Sequence, residues 1–366
     1  MLLAGGGTGG HVSPLLAVAE ALAEASVAAP PLFVGGRRGL EDGLVRSAGI
    51  AFHATPMPSL RDPDSRLSLV ARGILFPIAF ADALVTVLRY RPDVCCTTGG
   101  LVAFPVVLAA RVARVPVFIW EGNVVPGRVN RALAGRAQRV GVTFAGSLAR
   151  FSRGKAVLTG NPVRRSLLRW SKTEGRAALG LPATGAVVLV TGGSQGAAPV
   201  NEAVFAALPR LVRRATVVHH VGAAHLRRAE SLREGLPEAD RGRYRPYGYL
   251  HEEMGAALAA ADLVVARASS SSIAEPLAFG TPLVLIPFGA AADAHQTANA
   301  RAIEEVGAAV AIRESELDGD RLAAVVSGLL DDPARLARMT AAARAAGRPD
   351  AAREIARLVL DLAGCV

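Results

Sequence analysis

Gly5-Gly6-Gly7-Thr8-Gly9-Gly10-His11 follows the short apolar run Leu2–Ala4, and half a chain later Thr191-Gly192-Gly193-Ser194-Gln195-Gly196 closes the apolar run Val187–Thr191. In both places a strand pattern empties into a glycine turn and then a helical pattern. Glycine lets a diphosphate approach the backbone, and the start of the next helix offers unpaired amides and partial positive charge. Pro14 suits a first helical turn, which predicts that the first helix begins near Ser13-Pro14.

Working outward, the apolar runs Pro31–Val34, Val94–Thr97, Val115–Ile119, Val217–Val221, Leu263–Ala266 and Leu283–Ile286 alternate with alanine- and leucine-rich helical patterns. Strand and helix in strict alternation imply a parallel sheet covered on both faces, with ligands bound beyond the carboxyl ends of the strands. The repeated glycine turn implies two such α/β halves in tandem. Thr98-Gly99-Gly100 is a third copy, read as chance recurrence in a chain with 38 glycines. The break Gly160-Asn161-Pro162-Val163 divides the chain into a first domain, 1–160, and a second, 161–345. The last helical pattern, Ala351–Leu362 within 346–366, is expected to return to the first domain.

A length of 366 residues fits two domains of ordinary size. With 51% hydrophobic and 20% charged residues, disorder, collagen-like repeats and coiled coils are excluded. The net charge of +10 is almost all arginine, since Lys155 and Lys172 are the only lysines. Three cysteines, Cys95, Cys96 and Cys365, make no disulfide framework, and no secretory signal opens the chain, so a cytosolic setting is expected. Ile74–Leu88 is shorter than the roughly 20 residues of a membrane span and contains Pro77 and Asp82. Its flanking Arg66, Arg72, Arg89 and Arg91 suit docking on an anionic membrane surface; the alternative is a core helix with charged ends. No nucleic-acid module is recognisable.

Candidate chemistry lies in the loops after the strands. Gly5, Gly7 and Gly10 formally satisfy the dinucleotide fingerprint, so an NADP oxidoreductase competes; Arg37 and Arg38 stand where an acidic ribose ligand would. Arg267 is followed by Ser269–Ser272, able to cap a helix and bind phosphate, and by Glu275, able to accept both ribose hydroxyls. Pro287-Phe288 through His295-Gln296-Thr297-Ala298-Asn299 reads as a further ligand loop. Trp120-Glu121-Gly122-Asn123 puts a carboxylate and an amide at the first domain's carboxyl edge, with Asn130 one helical stretch later. Asp62-Pro63-Asp64 and Asp318-Gly319-Asp320 read as turns, no histidine and cysteine cluster has metal spacing, and a G-x-S-x-G elbow is absent.

As an ordered set, these motifs resemble the MurG family, the N-acetylglucosaminyltransferases that convert lipid I to lipid II in bacterial peptidoglycan synthesis. The resemblance runs over nearly the whole chain: Gly6–His11, Phe33-Val34-Gly35 with Gly39-Leu40-Glu41, Pro92-Asp93-Val94, Gly99-Gly100, Glu121 with Asn123, Gly160–Arg164, Gly192–Gly196, Arg267 with Glu275, and His295-Gln296 with Asn299-Ala300. It implies a GT-B glycosyltransferase fold, two Rossmann-like domains whose parallel sheets face a cleft. It further implies UDP-N-acetylglucosamine lined by Thr8, Gly9, Gly10, Asn123, Arg164, Ser194, Gln195, His251, Arg267 and Gln296, with Glu275 on the ribose. The acceptor, an undecaprenyl-diphosphate-linked muramoyl pentapeptide, would meet the glycine loop, Glu121, Asn123 and Asn130. His11 is the favoured base, with Glu121 beside it in the catalytic group. No obligatory metal or other cofactor is implied, and the setting is the cytoplasmic face of the bacterial membrane.

This sequence departs from the family at Trp120, where histidine is usual, at Ser269–Ser272, at Leu101 in place of tyrosine, at His251, usually aliphatic, and in a shorter first strand. The rivals are a GT-B enzyme for another UDP-sugar and a lipid or natural-product acceptor, the NADP oxidoreductase, and a non-catalytic sugar-nucleotide binder, which Trp120 keeps open.

Overall fold

A computed structural model of the protein describes residues 1–6, 9–25, 30–37, 41–57, 69–193, 195–251, 253–289 and 294–364. The chain divides into two compact units, 1–164 with 350–366, and 165–349. The junction falls at Arg164/Arg165, a few residues beyond the proline and glycine break.

Among the described residues the first unit holds a seven-stranded parallel sheet. Its strands are β1 (Leu2–Gly5), β2 (Leu32–Gly36), β3 (Ala51–Thr55), β4 (Cys95–Gly99), β5 (Val117–Glu121), β6 (Arg139–Val142) and β7 (Ala156–Leu158), in the order β3-β2-β1-β4-β5-β6-β7. The second unit holds β8 (Ala186–Thr191), β9 (Ala215–His220), β10 (Tyr244–Tyr247), β11 (Leu263–Arg267), β12 (Leu283–Ile286) and β13 (Ala309–Ala311), in the order β10-β9-β8-β11-β12-β13. Strand order reverses between β1 and β4 in one sheet and between β8 and β11 in the other. These switch points are where loops diverge and leave room for a ligand.

Alternation along the strands sorts the first unit's core. Leu2, Cys95, Val117 and Ile119 face one cluster with Ala83, Val87, Val106 and Val107. Leu3, Cys96, Phe118 and Trp120 face the other, built from the helix Gly9–Glu24 and the helix Ala351–Ala363 through Ile355 and Val359. Burial pushes the Cys95 thiol up to about 12 and raises the Cys96 thiol as well, so both stay protonated. The second unit's core is Val188, Val190, Val217 and Val265 under Val204, Phe205 and Leu208 of the helix Ala198–Leu211.

The first helix begins at Gly9, not near Ser13-Pro14, and carries Pro14 inside it. A helix normally rejects an interior proline because an amide is lost and a carbonyl is crowded. Here the neighbouring His11 carbonyl accepts a bond from the Thr98 hydroxyl at 2.7 Å, so β4 supports this opening turn from outside the helix.

The helix Leu69–Tyr90, which contains Ile74–Leu88, has one buried and one exposed face. Ala79, Ala83 and Val87 are buried in the core, while Ile78, Val85 and Leu88 are exposed. His53 of β3 and Asp82 of this helix, 3.0 Å apart, tie it to the sheet edge. No helix among the described residues is long and apolar enough to cross a membrane.

Candidate active site

At the first unit's switch point one carbonyl joins the predicted residues. Nδ1 of half-buried His11 lies 3.0 Å from the Thr98 carbonyl oxygen. A carbonyl only accepts, so Nδ1 carries the proton and Nε2 is the basic nitrogen of the neutral ring. The same carbonyl accepts from Asn130 Nδ2 at 3.4 Å, and Asn130 Nδ2 also donates to the Trp120 carbonyl at 3.2 Å and to Glu121 Oε2 at 2.9 Å. β1, β4 and β5 thereby bring His11, Asn130 and Glu121 into one network.

Glu121, 2% exposed, is the anchor of the loop that follows β5. Its Oε1 accepts from the Asn123 backbone amide at 2.9 Å and from Asn123 Nδ2 at 3.2 Å; its Oε2 accepts from the Gly127 amide at 2.9 Å as well as from Asn130. Four donors compensate a buried carboxylate in place of a cation. This geometry holds the 121–130 loop in shape and makes Glu121 a positioning group for Asn123 and Asn130.

Thr98-Gly99-Gly100, a third glycine turn set down to chance recurrence as a copy of the first two, joins the candidate site through Thr98. Thr98 fixes His11 through both its hydroxyl and its carbonyl. Gly100 has φ +82°, and a Cβ there would sit 2.7 Å from the Gly6 carbonyl oxygen, so the two glycine turns can touch only as glycines. Gly99-Gly100 stands in the family resemblance, but the role of Thr98 itself comes from β4 lying next to β1. Gly9 and Gly10 open the helix after the first glycine loop, and Thr8 lies outside the described residues.

Trp120 points to the opposite face of the sheet. Its side chain is 4% exposed in the core with Phe118 and Ile355, and Nε1 donates to the Gly160 carbonyl at 3.0 Å. The indole therefore fastens β5 to the residues that lead out of the unit, and the departure at this position is a core feature. Arg164, half-buried, is the last residue of the unit's first segment.

In the second unit the glycine turn after β8 packs on the end of β9. Gly196, at φ +74°, packs so closely on the Val221 carbonyl that a Cβ there would clash with it. Asn201 Nδ2 holds that same carbonyl at 2.8 Å, and Asn201 Oδ1 pairs with Nε2 of fully buried His219, whose Nδ1 lies 3.0 Å from the Tyr244 hydroxyl. Burial, with His220 and His225 nearby, lowers the His219 pKa to about 3, so the imidazole stays neutral. Gln195 is exposed on this turn, and Ser194 lies outside the described residues. The ring of exposed His251 lies tilted at 51° against Tyr249, centroids 4.2 Å apart, and its backbone amide donates to Glu253 at 3.1 Å.

After β11, Ser269 caps the helix Ser270–Ala278 by accepting from the Ser272 amide at 3.2 Å. Glu275 is half-buried on that helix, more than one turn from the cap. Arg267, 6% exposed, pairs with Glu314 at 2.6 Å and stacks over the Phe288 ring at 5.3 Å. His295–Asn299, expected in a loop, instead form the first turns of the helix His295–Glu305, entered through Ala294 at φ +52°. In this position Gln296 Oε1 accepts from the Phe288 amide at 2.9 Å, which fixes the orientation of its amide group, and buried Asn299 donates to the Ala268 carbonyl at 3.2 Å.

Residues 1–142 match the glycosyltransferase family 28 N-terminal domain and residues 187–355 its C-terminal domain. The UDP-N-acetylglucosamine--N-acetylmuramyl-(pentapeptide) pyrophosphoryl-undecaprenol N-acetylglucosamine transferase of Desulfitobacterium hafniense is 39% identical over 99% of both chains. The protein of the same name from Salinibacter ruber is 40% identical over 99% of this chain and 96% of its own. The crystal structure of Acinetobacter baumannii MurG superposes with a TM-score of 0.77 at 25% identity, covering 99% of each chain. The chain belongs to the MurG family of glycosyltransferases. Two parallel-sheet Rossmann-like units in one chain are accordingly a GT-B fold, and the family's activity class makes this chain a glycosyltransferase. For a MurG family member the NADP reading of the first glycine loop lapses, because the second unit carries its own glycine turn and ribose candidate.

Proposed function

We propose that this protein transfers N-acetylglucosamine from UDP-N-acetylglucosamine to the muramoyl 4-hydroxyl of undecaprenyl-diphosphate-linked N-acetylmuramoyl pentapeptide, lipid I to lipid II, with inversion. The observation that carries the reading is His11, held by Thr98 with Nε2 as its basic nitrogen, at the switch point of a chain related over its full length to enzymes named for this transfer. Nε2 takes the proton of the 4-hydroxyl as its oxygen bonds to the anomeric carbon, and the bond from that carbon to the diphosphate breaks with its electron pair leaving on UDP. The acceptor lies on the first unit against the glycine loop, Asn123 and Asn130. The donor lies mainly on the second unit, with Gln195, Gln296 and the backbone of His251 around it.

Charge on the departing diphosphate falls to the helix N-termini after the glycine and serine turns and to Arg164, without an obligatory metal. The exposed Ile78, Val85 and Leu88, with Arg89 and Arg91 at the helix end, form the surface that docks on the anionic cytoplasmic face of the membrane, where the acceptor's lipid resides.

The test is UDP release by the purified protein with UDP-N-acetylglucosamine, with and without a short-chain lipid I analogue. Release that depends on the analogue, with the sugar recovered on it, is the expected result. Binding of UDP-N-acetylglucosamine without transfer would leave a sugar-nucleotide binder or a different acceptor.

Glu275 is assigned to the ribose. Losing a hydrogen bond to a charged group costs about 1.5–3 kcal/mol, so Glu275→Ala is expected to weaken UDP binding roughly 10- to 100-fold in calorimetry. Unchanged affinity would undo the assignment.

A further inference from the structure

Three neighbouring strand ends in the second unit converge on one carboxylate that no glycine turn, serine run or ribose assignment accounts for. Glu314 opens the turn Glu314–Glu316 after β13. Its Oε2 pairs with Arg267 Nη1 at the end of β11 at 2.6 Å and accepts from the Gly289 amide beyond β12 at 3.2 Å. Arg267 Nη1 also reaches the Ile286 carbonyl at 3.4 Å, and the guanidinium lies over the Phe288 ring, 42% exposed at the end of the same segment. The Phe288 amide in turn takes Gln296 Oε1, which fixes the direction of the Gln296 Nε2 donor.

We propose that Glu314 is a positioning residue for the sugar-nucleotide donor: by bridging Arg267 and the Gly289 amide it sets the Pro287–Gly289 segment, and through Phe288 it aims Gln296. This role rests on the reading of Gln296 as a donor contact. The physical reason for a carboxylate is that a guanidinium buried to this degree needs a charged partner, and a neutral side chain would leave it under-compensated. The reason for this location is that β11, β12 and β13 are adjacent in the sheet, so a single group at the outer strand can lock two inner strand ends. Exposed Glu316, paired with Arg313 at 3.5 Å in the same turn, touches neither and serves as the internal control.

The test uses the full chain with Glu314→Ala, Glu314→Gln and Glu316→Ala, measuring the Kd of UDP-N-acetylglucosamine, KM and kcat with the short-chain acceptor, and thermal midpoints. A displaced contact of this kind costs about tenfold, so Glu314→Ala is expected to raise donor Kd and KM about tenfold with kcat at saturating donor within about threefold. Glu314→Gln keeps an acceptor for the Gly289 amide and is expected to recover at least half of the loss on a logarithmic scale. Glu316→Ala should match the unaltered protein. Donor Kd within twofold of the unaltered value in both Glu314 variants overturns the role, as does a fall in kcat and thermal midpoint with Kd unchanged. If Glu314→Ala does not fold, Glu314→Gln carries the test, with a Kd raised about threefold as the supporting result. No donor binding by the unaltered protein would bring down the donor reading itself, an outcome separate from tight binding by every variant.

Discussion

Replacing His11 by alanine is expected to lower sugar transfer by about 10²- to 10⁴-fold, the contribution of a positioned general base, while donor affinity stays within about threefold. The split follows from geometry. His11 is anchored to Thr98, and the donor assignments fall on other residues, so removing the imidazole deletes a proton acceptor and little binding surface. Single-turnover transfer at saturating donor, together with a calorimetric titration of UDP-N-acetylglucosamine, measures both quantities. Equal turnover in the variant would remove His11 from the mechanism, and a parallel loss of affinity would mean that the ring mainly supports the glycine loop.

The second large effect belongs to Glu121. Glu121→Ala removes one carboxylate that accepts from two backbone amides and two side-chain amides at once. A hydrogen bond to a charged group contributes about 1.5–3 kcal/mol, so with partial relaxation the loss of this set should be on the order of 3 kcal/mol in urea unfolding, with activity lost alongside. Glu121→Gln is the sharper probe. Glutamine fits the space, but its NH2 group must face one of the two donor pairs, setting donor against donor at a cost of roughly 2 kcal/mol. A Glu121→Gln protein as stable as the unaltered one but inactive would make Glu121 a participant in proton transfer and defeat the positioning role.

Legibility in the sequence followed physical contrast. Every one of the apolar runs quoted at the outset is a strand, because parallel strands buried on both faces read as continuous rather than alternating apolar runs. β3, β7, β10 and β13 were not read. They lie at sheet edges, and β10, with Arg245 and Pro246, lacks an apolar signature. β6 hides for another reason, since Gly141 interrupts a run of only four residues. The stretch His295–Asn299 looked like a loop because its residues are polar, yet a left-handed Ala294 turns the chain into a helix there.

The site divides in the same manner. Glycine turns and the Trp120–Asn123 stretch announced themselves by residue type. Thr98 did not, because what it does depends on β4 lying beside β1, about ninety residues away in the chain. Glu314 carried no motif for the same reason: its partners Arg267 and Gly289 come from other strands. Trp120 was visible as a departure, but only its face of the sheet reveals that it belongs to the core.

One feature of the partition bears on how the molecule is made. The second unit is a single uninterrupted segment, 165–349, whereas the first is completed by the helix Ala351–Ala363, which lies against the helix Gly9–Glu24 and buries Ile355 and Val359 beside Trp120. During synthesis the ribosome therefore delivers every strand of the first sheet long before the helix that covers one of its faces. Leu3, Phe118 and Trp120 must wait, partly uncovered, until the whole intervening unit has been translated, while that unit can close on itself as soon as it emerges.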